Sequence, residues 1–393
     1  MAVTTIISYK ENKLSKIAVY VVGILGVALV VFFGGQLIET LTNKNGKSGL
    51  SVETVGSTAA VFVDGEKVGE TPFTTSSIKP GTRTVAIKSD MRQYQTSFSF
   101  IPADNNVVHV VGLIRDLGVS DTFSSGQEFW FEKDKSGNTI KIISEPSGAT
   151  VYIDKSEVGK TPFSSASVSP GNYTLTISFP NHESQTAPIL IQKGYTLNGS
   201  VKLFPYPMPE TVKLLQDSQN LYDLSIDNQA AYADTETWAK AVIYWNTTRG
   251  INTGTSLLAK EKMFDYFIDF KGNIFDRDGN AIRSTEEISK MGELKKGGYL
   301  GRISDGAGLT KEAREALASL SGITVGAKTA TINQTPFGWL RVRDSASLNG
   351  AEIGKVNTSE KFEVLEEKTG WVKIRVSATL TGWVSSDYVT LSE

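Results

Sequence analysis

A thirteen-residue segment occurs twice in this chain. Val61-Phe62-Val63-Asp64-Gly65-Glu66-Lys67-Val68-Gly69-Glu70-Thr71-Pro72-Phe73 returns 90 residues later as Val151-Tyr152-Ile153-Asp154-Lys155-Ser156-Glu157-Val158-Gly159-Lys160-Thr161-Pro162-Phe163. Each copy runs on into a polar stretch, a Pro-Gly pair (Pro80-Gly81 and Pro170-Gly171) and an alternating apolar segment. One offset shared by so many landmarks means that a whole structural unit has been duplicated. Period-two alternation predicts strands, Asp64-Gly65 predicts a tight hairpin turn with positive φ, and Thr71-Pro72 fixes an extended or turn geometry. Both copies read as small antiparallel β units, an architecture that usually binds or spaces other molecules. Asp64, Asp154, Thr71 and Thr161 read as turn formers, not ligands.

Composition narrows the chemistry. A chain of 393 residues is long enough for two to four domains. Its 40 Lys and Arg against 42 Asp and Glu leave a net charge of -2, with no field to steer a polyanion, so nucleic acid is not an expected partner. It has no cysteine and two histidines, His109 and His182. That removes thiolate nucleophiles and Cys-ligated zinc, and argues against His-based catalysis or a His-rich metal site. No cofactor, metal or catalytic residue is expected.

Residues 17–38 carry no charge. As a helix they extend roughly 33 Å, enough to cross a bilayer core of about 30 Å, whereas a cleaved signal has a shorter apolar region and a small-residue cleavage site. Residues 17–38 are therefore expected to be a retained signal anchor. Lys10, Lys13 and Lys16 precede it, which places residues 1–16 in the cytoplasm and the bulk of the chain outside. Residues 39–51 read as a flexible linker.

The repeats resemble the PEGA family, on a Pro-x-Gly-Ala start, a Val-x-Val-Asp-Gly hairpin, a Gly-x-Thr-Pro turn and a following Pro-Gly. The second copy has the start as Pro146-Ser147-Gly148-Ala149, where the first has Gly56-Ser57-Thr58-Ala59. The second has Lys155 where the first has Gly65. The resemblance covers residues 52–115 and 142–204. It implies a small β-sandwich of bacterial surface proteins, often repeated near a membrane anchor, with no catalytic residue. Between the copies, residues 116–141 are expected to form a connecting hairpin from Glu128–Glu132 and Thr139–Ile143, with Trp130 as a packing residue.

Pro205, Pro207 and Pro209 mark a boundary, and residues 205–326 read as an α+β region without a family. Helical periodicity is expected at 212–215 and after Asp234, an N-cap. Ser284 with Glu287 makes a capping box, and Thr310 opens a further helix. Asp276, Asp278 and Asn280 alternate like part of a calcium loop but miss the EF-hand glycine and distal Glu, so a solvated turn is the better reading. A hidden cell-wall hydrolase would have to use carboxylates here, from among Asp265, Asp269, Asp276 and Asp278.

Residues 327–393 hold five short alternating segments with Gly-containing turns, which predict a small closed β-barrel. Gly338-Trp339-Leu340-Arg341-Val342-Arg343, Gly370-Trp371-Val372-Lys373-Ile374 and Gly382-Trp383-Val384-Ser385-Ser386-Asp387-Tyr388 resemble the bacterial SH3-like family. Arg341 stands where the family has Asn, and Asp344-Ser345-Ala346 replaces Ser-Gly-Pro. The resemblance implies an extracytoplasmic module that commonly recognises cell-wall peptide or glycan. Trp339, Trp371, Trp383 and Tyr388 are the aromatic candidates for ligand contact, and Arg341 the candidate for a ligand carboxylate. Core packing is the competing role for Trp383 in particular.

The fold class is thus mainly β: an N-terminal transmembrane helix, two antiparallel β-sandwich repeats, an α+β middle segment and an SH3-like barrel. The expected function is that of a non-catalytic envelope protein. The membrane holds its N-terminal helix, the repeats act as a spacer of about 60 Å if each is a separate module, and the barrel binds a cell-wall polymer or surface-layer component. The alternatives are a scaffold or sensor that binds a protein partner, and a wall hydrolase with its carboxylates in the middle region.

Overall fold

The duplicated segment folds as the turn chemistry requires. Asp64 and Gly65 have φ of 50° and 86°, and Asp154 and Lys155 have 49° and 70°. Lys155 sits in the left-handed region that Gly65 occupies without steric cost. The Asp64 carboxylate accepts from the Thr84 amide at 2.9 Å, and Asp154 accepts from Thr174 at 2.8 Å, which ties each hairpin tip to a later strand. Thr71 and Thr161 are buried. Thr71 Oγ1 accepts from the Ala59 amide at 3.0 Å and bonds Thr54 Oγ1 at 2.6 Å; Thr161 Oγ1 does the same with the Ala149 amide and Ser144. These four residues are structural, as the sequence predicts.

The computed structural model describes residues 46–392 apart from 105–106, 135–136, 216–217, 219, 257–263, 292–293, 295, 307, 322–328 and 378–379. The expected transmembrane helix, residues 17–38, lies outside the described residues. Among those residues no helix is long and apolar enough to cross a membrane. The chain divides into one unit of residues 46–213 with 228–256 and another of residues 214–227 with 264–392.

In the first unit, repeat one supplies β1 (Ser48–Thr54), β2 (Ala60–Val63), β3 (Glu66–Glu70), β4 (Phe73–Ile78), β5 (Gly81–Lys88), β6 (Gln93–Phe100) and β7 (Val110–Asp116). After β8 (Ser125–Lys133), repeat two supplies β9 (Thr139–Glu145), β10 (Thr150–Ile153), β11 (Ser156–Lys160), β12 (Phe163–Ser165), β13 (Gly171–Ser178), β14 (Gln185–Ile191) and β15 (Tyr195–Lys202). Each repeat has its own four-stranded sheet, of order β3-β2-β5-β6 or β11-β10-β13-β14. The remaining strands join in a single seven-stranded sheet of order β12-β9-β15-β8-β7-β1-β4.

This arrangement corrects three expectations. Residues 39–51 are not linker throughout, since residues 48–51 are buried in β1 and paired with β4 and β7. Residues 116–141 do not make a connecting hairpin: β15 lies between β8 and β9, pairing antiparallel with the first and parallel with the second. Nor are the repeats purely antiparallel or separate modules, since β1 pairs parallel with β7. The summed diameter of two free sandwiches therefore does not describe this unit. Local alternation made β8 and β9 look like partners, but β15 inserts between them and pairs with both.

Side-chain alternation shows how the repeats share the sheet. On β8, Glu128 and Trp130 face the core of repeat one, where Trp130 packs 5.9 Å from Phe98. The intervening Phe129 and Phe131 face the core of repeat two with Leu197 and Ile140. The two four-stranded sheets therefore cover opposite faces of the seven-stranded one. Order, strand direction and face all repeat under a half-turn about β8. Core positions match at the same 90-residue offset: Leu50, Val52, Val61 and Ile87 answer to Ile140, Ile142, Val151 and Ile177. His109 is buried, its ring 4.3 Å from that of Tyr195, and packs as an aromatic.

Residues beyond the repeats return to this unit. Helices α1 (Gln229–Ala233) and α2 (Thr235–Tyr244) lead through a π-helical turn, Trp245–Arg249, into α3 (Gly250–Thr253). Asp234 caps α2 by accepting from the Thr237 amide at 3.0 Å, as expected. The buried face of α2 is Trp238, Ala239, Ala241 and Val242. Residues 205–326 are therefore not one region: part of them packs with the repeats.

In the second unit a six-stranded sheet has the order β16-β17-β21-β18-β19-β20, from β16 (Lys213–Leu214), β17 (Leu221–Asp223), β18 (Tyr266–Asp269), β19 (Ile274–Asp276), β20 (Ala281–Ile282) and β21 (Gly297–Leu300). The helical pattern at 212–215 gives way to β16, where strand pairing outweighs a four-residue periodicity. The Ser284 capping box opens α4 (Thr285–Lys290), and Thr310 Oγ1 accepts from the Ala313 amide at the start of α5 (Lys311–Ser321).

Burial also sets a titration. Glu53 on β1 is desolvated, which pushes its carboxyl from 4.5 up to about 7. The folded state thus holds a proton that the unfolded chain releases, so stability falls as pH rises from about 4.5 through about 7. Glu53→Gln should flatten that part of a urea-denaturation pH profile and stabilise the protein at pH values above the window; an unchanged slope would show that Glu53 is solvated.

Candidate functional site

The C-terminal module has seven strands instead of the expected five. They are β22 (Thr329–Ile332), β23 (Trp339–Arg343), β24 (Glu352–Asn357), β25 (Lys361–Lys368), β26 (Trp371–Arg375), β27 (Thr381–Ser385) and β28 (Val389–Ser392). The hydrogen-bonded order β24-β23-β27-β26-β25-β22-β28 does not join its ends, so the sheet wraps its core without full closure. One set of alternating positions makes that core: Ala330, Ile332, Val342, Val356, Val372, Ile374 and Val384, with Leu340 and Phe362 against them.

The other set faces outward and carries four of the five predicted site residues. Trp339 and Arg341 share it with Arg343 on β23, Arg343 pairs with Trp383 on β27, and Trp383 pairs with Lys373 two positions from Trp371 on β26. The spacing of two between Gly-Trp and the next charged residue is what puts rings and cations on one face. Tyr388 is not brought there: it lies on a single 3-10 turn, Ser386–Tyr388, and is 39% exposed.

The four differ in availability. Trp383 is 5% exposed and counts among the buried hydrophobic residues, as the core-packing role predicts, and the ammonium groups of Lys368 and Lys373 lie 4.6 Å and 5.8 Å from its ring. Core packing describes it, and open ligand contact does not. Trp371 is half-buried beside it. Trp339 is half-buried as well. Phe337, 77% exposed, lies 5.9 Å from it at an interplanar angle of 31°, and Lys355 Nζ sits 4.0 Å from the Trp339 ring centre.

Sequence reasoning missed Phe337 and Lys355. Phe337 precedes the strand, where alternation does not reach, and Lys355 is placed only by the β23–β24 register, which sets it opposite Arg341. Pro336-Phe337-Gly338-Trp339 was the available signal, since Pro and Gly (φ 74°) hold the Phe in a turn where it cannot be buried in the strand.

Arg341 and Lys355 both lean on Glu352, at 3.0 Å and 3.7 Å, and all three side chains are largely solvated. Exposed pairs of this kind contribute about 0–1 kcal/mol. Either cation can therefore exchange Glu352 for a ligand carboxylate at little cost. The arrangement offers a flat aromatic step with two loosely held cations beside it, suited to stacking on a sugar ring or peptide and pairing with an acidic group.

The middle-region carboxylates carry structural duties. Asp269 Oδ1 accepts from the Lys271 and Asn273 amides, Asp276 Oδ1 repeats this with Asp278 and Asn280, and Asp265 Oδ2 accepts from the Lys296 amide. The Asp276 loop is a hairpin turn with Gly279 at φ 79°, as predicted. Among the described residues no three His, Asp or Glu side chains gather as a metal site.

Comparison with known families agrees with this architecture. Residues 47–110 and 138–206 match the PEGA domain, and residues 339–390 match the bacterial SH3 domain. The chain thus carries two PEGA domains and a bacterial SH3 domain. Comparison with curated proteins finds no match.

Different burial predicts different consequences for two tryptophans. Trp383→Ala should cost the module about 3–5 kcal/mol in urea unfolding, whereas Trp339→Ala, at a half-buried ring, should cost about 1 kcal/mol; equal losses would contradict the lesser burial of Trp339.

Proposed function

We propose that this protein is a non-catalytic envelope protein, anchored by residues 17–38 with its bulk outside the cytoplasm, whose SH3 domain binds cell-wall polymer. Bacterial SH3 domains commonly bind cell-wall peptidoglycan, and PEGA is a surface-type domain. The observation that carries the reading is the Phe337–Trp339 step, an exposed ring against a half-buried one, with Arg341 and Lys355 beside it. Its chemistry fits peptidoglycan, which presents sugar faces and peptide carboxylates together. Trp371, Trp383 and Tyr388 then support the module or extend its contacts and do not form the principal step.

The mechanism is tethering. Membrane attachment confines the domain near the wall, so weak recognition becomes effective through raised local concentration. A protein partner held on the same step would make the chain a scaffold, and that reading is separated by the test below.

Co-sedimentation of the detergent-solubilised full chain with purified cell wall should show saturable binding, weakened about tenfold or more in Phe337→Ala/Trp339→Ala and less in Arg341→Ala. Binding that is unaffected by the double substitution would overturn the proposed site, and absence of wall binding would favour the protein partner.

A further inference from the structure

A buried ion cluster sits where the two PEGA repeats meet the helical segment. Arg249, at the end of the π-helical turn, is 5% exposed. Its guanidinium donates from Nε to Glu183 Oε2 at 3.0 Å and from Nη2 to the same carboxylate, and its Nη1 lies 3.5 Å from Asp116 Oδ2. Asp116 ends β7 of repeat one and is 1% exposed, while Glu183 lies between β13 and β14 of repeat two. Tyr244 donates its hydroxyl to Asp116 Oδ1 at 2.7 Å from the same helix. One cation thus holds a carboxylate from each repeat, in an interior where an ion is costly unless paired. Burial raises the Glu183 carboxyl above its usual range, with Arg249 opposing that rise.

Apolar contacts surround the cluster. The Phe204 ring, just past β15, stacks on Tyr244 at 6.2 Å and meets Trp245 at 5.5 Å, and Phe123, just before β8, lies 6.4 Å on its far side. Tyr206 meets Trp245 edge-on, and Trp238 Nε1 donates to the Pro207 carbonyl at 2.6 Å. A Cβ on Gly56, just past β1, would come within 3.1 Å of Tyr244 and Thr248. β1, β7 and β15 all finish, and β8 starts, at this one end of the shared sheet. Residues 228–256 and the whole of β8, the strand that links the repeats, fall outside the segments matched to the PEGA domain.

We infer that residues 228–256 are a clasp, which through Arg249 locks the two PEGA repeats into one cooperative unit and makes the pair a stiff arm. The shared strand β8 joins the repeats along the pseudo-twofold direction; the clasp closes one end of that joint, so the sandwiches cannot twist about β8 without separating Arg249 from one of its carboxylates. Its effect reaches across the joint: loosening it from the side of one repeat loosens the other. The inference is independent of what the SH3 domain binds.

Hydrogen–deuterium exchange of the full chain, resolved by peptide, tests it. Glu183→Gln alters only repeat two and Tyr244→Phe alters only the contact to Asp116 in repeat one, and both are mild enough to leave the fold intact. The clasp predicts that Glu183→Gln speeds exchange at β7 of repeat one, and Tyr244→Phe at β13 and β14 of repeat two, by about tenfold or more. Arg249→Met should do both. Exchange that rises only beside each substitution, with the opposite repeat unchanged, would overturn the clasp.

Discussion

The architecture depends on one strand. β8 has a different side-chain set on each face, Glu128 and Trp130 toward repeat one and Phe129 and Phe131 toward repeat two, so one backbone completes two cores. A strand with both faces covered cannot shift register by one residue without moving Glu128 away from Tyr94 and Thr96 into the core of repeat two and Phe129 out of that core. That constraint fixes the direction of β7 and β15 on either side and the opposite placement of the two small sheets. The duplicated units are thereby built into one body, with their symmetry axis occupied by sequence that belongs to neither copy.

The clasp and the shared strand answer the same physical problem. A 64-residue β unit, the length matched by the first PEGA segment, buries a modest core and is marginal alone. Pooling two such units on a common sheet enlarges the buried area without adding edges, and the helical segment covers the one end where four strand termini and two carboxylates converge. Arg249 stabilises that end because both acids are already committed there; removing it would leave buried charge without compensation.

What the sequence revealed, and what it did not, follows from the range of the interactions. The hairpin tips at Asp64 and Asp154, the buried Thr71 and Thr161 and the caps at Asp234 and Ser284 are set within a few residues, and all were legible. The outward row of Trp339 and Arg341 followed from period two. The shared sheet was not legible, because the β8–β15 pairing joins residues more than sixty positions apart and local alternation offered β9 as a nearer partner. Lys355 was missed for a different reason: the register of β23 on β24, which shifts between Val342 and Arg343, sets it opposite Arg341. The burial of Trp383 was legible as the core role expected of a tryptophan in a small module, whereas the ammonium groups of Lys368 and Lys373 near its ring are placed by strand register and were not.

Since the chain has no cysteine, paired cysteines test the shared strand directly. Ile114 faces Gln127 across β7 and β8, and Ser200 faces Glu128 across β8 and β15. The account predicts that Ile114→Cys/Gln127→Cys and Glu128→Cys/Ser200→Cys each oxidise to an intramolecular disulfide in the folded protein. Failure of both pairs, with a cysteine on β8 instead bridging to one on β9, would contradict it and restore two separate sandwiches joined by a hairpin.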